Sequence, residues 1–167
     1  RKLELEGLVL MIPRKGAEVA EITEKNMRDV LEVRKALEEL AGQLACDKIT
    51  KEEIEEMKKA AEDFKKILKS KDITEIAEAD VRFHDIIYMA TDNQKLIQLL
   101  NNLREQMYRY RVEYLKREEA HPQLIAEHAA IIEYISKGEK KAATDIMCKH
   151  IDNQVTTVID VIRTKQN

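Results

Sequence analysis

The sequence predicts an all-α fold, an antiparallel bundle of about six helices preceded by a short β-hairpin. Only four glycines and two prolines occur among 167 residues, too few for the tight turns of a larger sheet. Apolar residues make up 44% of the chain and, from Thr23 onward, recur with the period of an amphipathic helix. The connections between the periodic segments are short, so consecutive helices are expected to be antiparallel neighbours in one bundle.

Charge and cysteine content limit the classes of partner and compartment. The formal net charge is −3, which argues against nucleic-acid binding by the whole domain, because that affinity comes chiefly from neutralising phosphates. No apolar run approaches the length of a membrane span, and no signal peptide is visible. Cys46 and Cys148 lie far apart in the sequence, which suits a reducing compartment. We therefore expect a soluble, cytoplasmic protein with no membrane partner.

The first 22 residues differ from the rest of the chain. Residues 1–6 resemble the last turns of a helix that Gly7 ends, since glycine adopts the left-handed cap conformation at little cost. Two apolar runs, 8–12 and 17–22, flank the sequence Pro-Arg-Lys-Gly at 13–16, which is typical of a hairpin turn. This pattern predicts a helix end followed by a β wing with a basic tip. An N-terminal arm without a role in nucleic-acid binding is the alternative.

Six helical segments follow the hairpin. We predict them at about 23–47, 50–70, 72–91, 94–117, 121–136 and 138–164. Residues that favour helix N-caps stand at or just before the start of four of them: Thr23, Thr50, Asp72 and Asn93. Thr50 and Glu53 also have the spacing of a capping box, and Gly138 separates the last two helices.

Four polar residues interrupt the apolar stripes of three predicted helices. Asp80 and His84 are one turn apart in the third helix, His128 lies in the fifth, and His150 lies in the sixth. A buried carboxylate without a partner costs several kcal/mol, and a divalent cation would satisfy all four side chains at once. We therefore predict a metal site on these residues, with hydrogen-bonded core histidines as the alternative. His121 precedes a proline at a helix start and is expected to be solvated.

Arg34 is a second anomaly, because it lies in the apolar stripe of the first long helix. It is either a structural ion-pair partner of a bundle carboxylate or a fork that binds an anionic ligand through two parallel hydrogen bonds. Tyr88, one turn beyond His84, is either a plain core tyrosine or a residue that lines the ligand cavity.

A metal-dependent enzyme is the competing function class. The dipeptide His84-Asp85 resembles the HD pair of helical metal phosphohydrolases, and a metal with open positions activates water. Asp85 nevertheless lies about 100° around the helix from His84, off the buried stripe, and no nucleophile system is apparent. We therefore expect no enzymatic activity, and we keep the HD-like hydrolase as the alternative.

The segments that contain Arg34 and the four predicted metal ligands resemble the effector-binding FCD domain of the FadR branch of the GntR family of bacterial transcription regulators. The resemblance covers residues 1 to about 162. Four segments carry it: VRKALEELAGQLA with Arg34, EADVRFHDIIYMATDN with Asp80 and His84, AEHAAIIEYISKGEKKAA with His128, and MCKHI with His150. The N-terminal sequence RKLELEGLVLMIPRKGAEVAEI resembles the end of the recognition helix and the wing of the family's winged helix-turn-helix. Six helices rather than seven are typical of its VanR-like subgroup.

The resemblance implies a site, a partner and a division of the chain. It implies a divalent metal, zinc before nickel or manganese, on Asp80, His84, His128 and His150, and a small carboxylate effector held by the metal and Arg34. Residues 1–22 would be the remnant of a winged helix-turn-helix, with Arg14 and Lys15 at its DNA-contacting tip. Residues 23–167 would be the domain that binds metal and effector and forms a homodimer. DNA binding would depend on an N-terminal domain that is largely missing from this chain.

Overall fold

A computed structural model of the chain describes Glu4, residues 9–21 and residues 23–166, without the side chains of 105, 161, 162 and 164–166. Within this part, one β-hairpin is followed by six α-helices and one 3₁₀ turn, which confirms the predicted all-α bundle. Glu4 is helical. The helix end predicted before Gly7 otherwise lies outside the described residues.

The elements follow the predicted segments closely. The strands are β1 (Val9–Ile12) and β2 (Gly16–Val19). The helices are α1 (Glu24–Lys48), α2 (Lys51–Ile67), α3 (Ile73–Ala90), α4 (Gln94–Leu115), α5 (His121–Ser136) and α6 (Lys140–Gln166). The 3₁₀ turn, Glu118–Ala120, joins α4 to α5.

The hairpin is antiparallel, with Val9 opposite Val19 and Ile12 opposite Gly16. Arg14 in its turn and Gly16, the first residue of β2, adopt positive φ angles of 66° and 95°. Glycine tolerates this conformation because it has no Cβ, so Gly16 suits the tight return of the chain. Arg14 and Lys15 are exposed at the tip, as the sequence predicted for a basic turn.

The predicted caps explain where the helices begin. Thr23 accepts a hydrogen bond from the Asn26 amide, and Asn93 accepts one from the Leu96 amide. Asp72 accepts from two amides of the first turn of α3. Before α2, both halves of the Thr50–Glu53 capping box are present. Each cap satisfies backbone N–H groups that have no partner within the helix, so the polar residues at these positions fix the helix starts.

The long helices α1 and α6 pack extensively against each other. Gly42 of α1 is buried at this contact, and a Cβ there would lie only 2.8 Å from Sδ of Met147. The missing side chain therefore permits the close approach of α1 and α6, which carry Arg34 and His150 respectively.

Buried polar side chains form a layer between two apolar clusters. One cluster contains Met27, Leu31, Phe64, Leu124 and Val158, and the other contains Ala41, Ile87, Ile131, Ile135 and Met147. Along α1, Arg34 and Glu38 fall between members of the two clusters, and along α6 His150 falls between Met147 of one cluster and Ile151 of the other. The full layer comprises Arg34, Glu38, Asp80, His84, Arg111, Glu127, His128, His150 and Gln154. The apolar clusters thus hold the polar layer away from solvent.

No helix in the described part of the chain is long and apolar enough to cross a membrane.

Candidate metal centre

Three histidines from three helices meet inside the bundle. One ring nitrogen each of His84 in α3, His128 in α5 and His150 in α6 lies within 4.8 Å of the others. The ring centroids are 5.2 to 5.7 Å apart. The predicted convergence of these side chains is therefore present in the structure.

His84 and His128 have nitrogens with no hydrogen-bond partner. Both residues are almost completely buried, and all four of their ring nitrogens are unsatisfied. Burial lowers the pKa of His84 well below its usual value and also lowers the pKa of His128, although nearby Asp80 opposes both shifts. The two rings are therefore neutral at pH 7, and each presents a nitrogen lone pair that suits a metal ion.

Asp80 lies beside the triad but has a second partner that the sequence did not predict. Its Oδ1 is 3.2 Å from Nε2 of His128, and its Oδ2 is 3.9 Å from Nε2 of His84. Nε of Arg111, a buried residue of α4, is 2.7 Å from Oδ2 but is not aligned for a hydrogen bond. Burial alone raises the pKa of Asp80, but Arg111 and the neighbouring histidines outweigh burial and hold this pKa well below its usual range. Asp80 is thus an ionised carboxylate between a guanidinium and two imidazoles.

Glu127 and Gln154 fix the orientation of His150. Oε2 of Glu127 is 2.8 Å from Nδ1, and the Gln154 side-chain nitrogen is 2.9 Å from Nε2. Since the Gln154 amide donates a hydrogen bond to Nε2 of His150, Nε2 carries the lone pair. Nδ1 then carries the proton and donates a hydrogen bond to Glu127. A histidine in this tautomer, with a carboxylate on its far nitrogen, is typical of metal sites. A metal on Nε2 would take the place of the Gln154 N–H.

The Glu127 carboxylate supplies a testable prediction. The Glu127 charge orients His150 and raises the basicity of its ring. Because Glu127→Gln removes this charge, we expect zinc affinity to fall by about 10- to 100-fold. Chelator competition with and without the substitution measures this change. Glu133→Gln, an exposed carboxylate of the same helix, is the matched control. An equal zinc affinity in the Glu127 variant and in the wild type would show that Glu127 does not support a metal ligand.

Arg34 has the ion-pair partner that one interpretation of the sequence required. Its Nε donates to Oε1 of Glu38 at 3.0 Å, and Nη1 donates to the side-chain oxygen of Gln154 at 2.9 Å. The Tyr88 hydroxyl donates a hydrogen bond to the same Oε1. One terminal nitrogen of Arg34, Nη2, is buried with no hydrogen-bond partner. Arg34 is thus paired, and it retains one free donor.

Four members of the polar layer were missed as site residues. Glu38 lies one helical turn after Arg34, and Glu127 directly precedes His128, so local spacing contained a signal for both. Arg111 occupies a buried position of α4 one turn after Met107, and a charged residue in that stripe was a further signal. Gln154 lies one helical turn after His150, which was a local signal for that contact, but its contact with Arg34 of α1 has no local signature.

Two residues outside the layer have other partners. Asp85, the second member of the HD-like pair, binds Arg104 through two contacts of 2.6 and 3.1 Å at the half-exposed surface. It therefore takes no part in the histidine cluster. His121 is half-buried rather than solvated, because its Nε2 lies 2.8 Å from the carbonyl oxygen of Leu115.

The sequence is similar to those of named transcription regulators. One relative, the "Uncharacterized HTH-type transcriptional regulator YdhC" of Bacillus subtilis (strain 168), is 26% identical over 154 residues, which are 92% of this chain and 69% of the relative. The "Probable D-xylose utilization operon transcriptional repressor" of Paenarthrobacter nicotinovorans is 30% identical over 103 residues, which are 62% of this chain and 45% of the relative. The chain therefore spans part of each of these proteins.

Solved structures share the fold. E. coli McbR/YncC superposes with a TM-score of 0.83 at 15% identity, over 99% of this chain and 81% of that one. The metal-free FCD domain of TM0439 superposes with a TM-score of 0.72 at 25% identity, over 87% of this chain and 99% of that one. The sequence profile of the FCD domain matches residues 29–153, which include every member of the polar layer except Gln154. The resemblance drawn from the sequence is confirmed, and the chain belongs to the FCD domain family.

Proposed function

We propose that this chain is the ligand-sensing part of a GntR-type transcription regulator that binds a divalent metal and a small carboxylate effector. The observation that carries the proposal is the set of three buried histidines whose nitrogens lie within 4.8 Å of one another. Buried polar groups without partners are costly, so a cluster of this kind is expected to have a ligand. We assign to this cluster the binding of a metal ion that serves regulation and catalyses no reaction.

The donor set fits a divalent cation. Neutral imidazole nitrogens of His84, His128 and His150, with a carboxylate oxygen of Asp80, are ligands that zinc accepts readily. Nickel or manganese also binds such mixed nitrogen and oxygen sites. When bound, the metal would supply a Lewis-acidic centre with exchangeable positions for an anion. Asp80 would share its carboxylate between this centre and Arg111, which lies 2.7 Å from it.

Arg34 and Tyr88 are the effector-binding residues of this proposal. Arg34 belongs to the buried layer, and Tyr88 is a buried residue whose hydroxyl donates a hydrogen bond to Glu38 of that layer. Gln154 joins Arg34 to His150 through one hydrogen bond on each side. A ligand that contacts both the histidines and Arg34 would therefore replace the two hydrogen bonds that Gln154 makes. Occupancy would change the packing of α1 against α6, since these helices carry the two ends of the link.

The role in transcription concerns the longer protein. Residues 1–22 are assigned as the end of a winged helix-turn-helix, with Arg14 and Lys15 at the wing tip, and residues 23–167 as the sensing and dimerisation domain. The two relatives named as a transcriptional regulator and a transcriptional repressor support this assignment. A homodimer would place two DNA-binding heads on a palindromic site, and effector binding would alter their spacing.

Metal analysis followed by an acid screen tests the proposal. Protein purified without an affinity resin is loaded with zinc, and small carboxylic acids are then added in a thermal-unfolding assay. We expect an active acid to raise Tm, because it binds only the folded state, and to act weakly on metal-free protein. The acid should be recovered unchanged. If every acid leaves Tm unchanged in zinc-loaded protein, or if the acid is consumed, the proposed function is wrong.

A further inference from the structure

The ion pair between Arg34 and Glu38 leaves two polar atoms unused. Each side chain is only 1% exposed, and the pair is joined by a single contact of 3.0 Å between Nε and Oε1. Nη2 of Arg34 and Oε2 of Glu38 are both buried without a hydrogen-bond partner. The same pair therefore offers one free donor and one free acceptor inside the bundle.

This combination suits a hydroxyl group better than a second carboxylate. A hydroxyl both donates and accepts, so it can accept a hydrogen bond from Nη2 of Arg34 and donate one to Oε2 of Glu38. An ionised carboxylate only accepts, so it would leave Oε2 of Glu38 unsatisfied. It would also bring two negative charges together where water does not screen them. Glu38 already neutralises the guanidinium on which a second carboxylate would depend.

The charge of the whole layer leads to the same expectation. Two guanidiniums, Arg34 and Arg111, face three carboxylates, Glu38, Asp80 and Glu127, and an imidazole that binds a metal ion does so in its neutral form. A divalent cation changes the excess from one negative charge to one positive charge. A singly charged anion then leaves the interior neutral, and a doubly charged anion restores a net negative charge. Buried charge without compensation is costly, so the singly charged ligand is favoured.

We infer that Glu38 determines effector specificity, selecting a singly charged acid that carries a hydroxyl group and rejecting dicarboxylates. The inference rests on the proposed function, in which the acid's carboxylate binds at the metal. Its hydroxyl then lies at the Arg34–Glu38 pair. Tyr88 positions Glu38 through the hydrogen bond between its hydroxyl and Oε1. Glu38 thus acts as a filter on the group at the far end of the ligand.

Matched acid pairs test this filter in zinc-loaded protein. The pairs differ only in the terminal group: 3-hydroxypropionate and malonate, 4-hydroxybutyrate and succinate, 5-hydroxyvalerate and glutarate. Calorimetric titration gives the affinity of each acid. In the pair whose length fits best, we expect the hydroxy acid to bind wild-type protein more tightly by roughly tenfold or more.

Glu38→Gln removes the negative charge that neutralises Arg34. The guanidinium is then free to attract the second carboxylate, so we expect the preference to shift toward the dicarboxylate by roughly tenfold. Glu39→Gln is the matched control, since it removes the same charge from the exposed face of the same helix. It should leave the preference unchanged. If both variants retain the wild-type preference, Glu38 is not the specificity determinant.

Two further outcomes are distinct. If wild-type protein binds a dicarboxylate as tightly as its hydroxy partner, the inference fails while the proposed function stands. If zinc-loaded wild-type protein binds neither member of any pair, the inference fails, and the proposed effector function fails with it only if no other small carboxylic acid raises Tm. The wild-type comparison decides the question even if Glu38→Gln does not fold.

Discussion

Replacing His128 with alanine is expected to lower zinc affinity by more than about 100-fold, beyond the loss typical of an outer-sphere partner. His128 is buried, neither of its ring nitrogens makes a hydrogen bond, and one of them belongs to the histidine cluster. At a zinc concentration about 100 times the wild-type dissociation constant, zinc contributes about 2.7 kcal/mol of stability. The wild type should therefore gain about 5 to 10 °C in Tm from zinc, and the variant should gain little.

His121→Ala is the control for this prediction. Of the four histidines, His121 lies outside the cluster, and its ring nitrogen Nε2 contacts the carbonyl oxygen of Leu115. Zinc stoichiometry and the zinc-dependent rise in Tm should match the wild type in this variant. Unchanged zinc binding in His128→Ala would place the metal elsewhere.

The second large effect concerns the ion pair of Arg111 with Asp80. Arg111→Met leaves a fully buried carboxylate without its guanidinium, so we expect metal-free protein to lose about 3–5 kcal/mol of stability. Zinc should restore most of that loss if Asp80 is a ligand, because the cation then replaces the missing charge. Denaturant unfolding with and without zinc measures both effects.

Arg104→Met is the matched control for this experiment. Arg104 also lies in α4 and pairs with an aspartate of α3, Asp85, but both side chains are 36% exposed. A surface pair of this kind contributes about 0–1 kcal/mol, so little loss is expected. If zinc stabilises Arg111→Met no more than it stabilises the wild type, Asp80 is a structural partner of Arg111 and not a metal ligand.

The fold and the convergence of the histidines were predictable because both depend on local periodicity. The apolar stripes gave the helices, and the polar caps Thr50 and Asp72 gave two of their starts. Three histidines in the middle of separate stripes could meet only in the core of an antiparallel bundle. The short connections that force this arrangement are visible in the sequence.

The pairing of charges within the site was not predictable in the same way. Asp80 and Arg111 lie on different helices, 31 positions apart by their numbers, and their contact depends on the rotation of α3 and α4 about their axes. The sequence left two interpretations of Arg34 open. The structure gives it Glu38 as a partner and also leaves Nη2 unsatisfied, so each interpretation described part of its environment. The hydrogen bond from Arg34 to Gln154 depends on the packing of α1 against α6, which helical periodicity does not specify.

X-ray absorption at the zinc edge of the loaded protein identifies the atoms that bind the metal. We expect one zinc per chain, with the scattering pattern of several imidazole rings and nitrogen or oxygen ligands at about 2.0–2.1 Å. A signal from sulfur at about 2.3 Å would place zinc on Cys46 or Cys148 and rule out the histidine site. So would protein that retains no zinc after loading and dialysis.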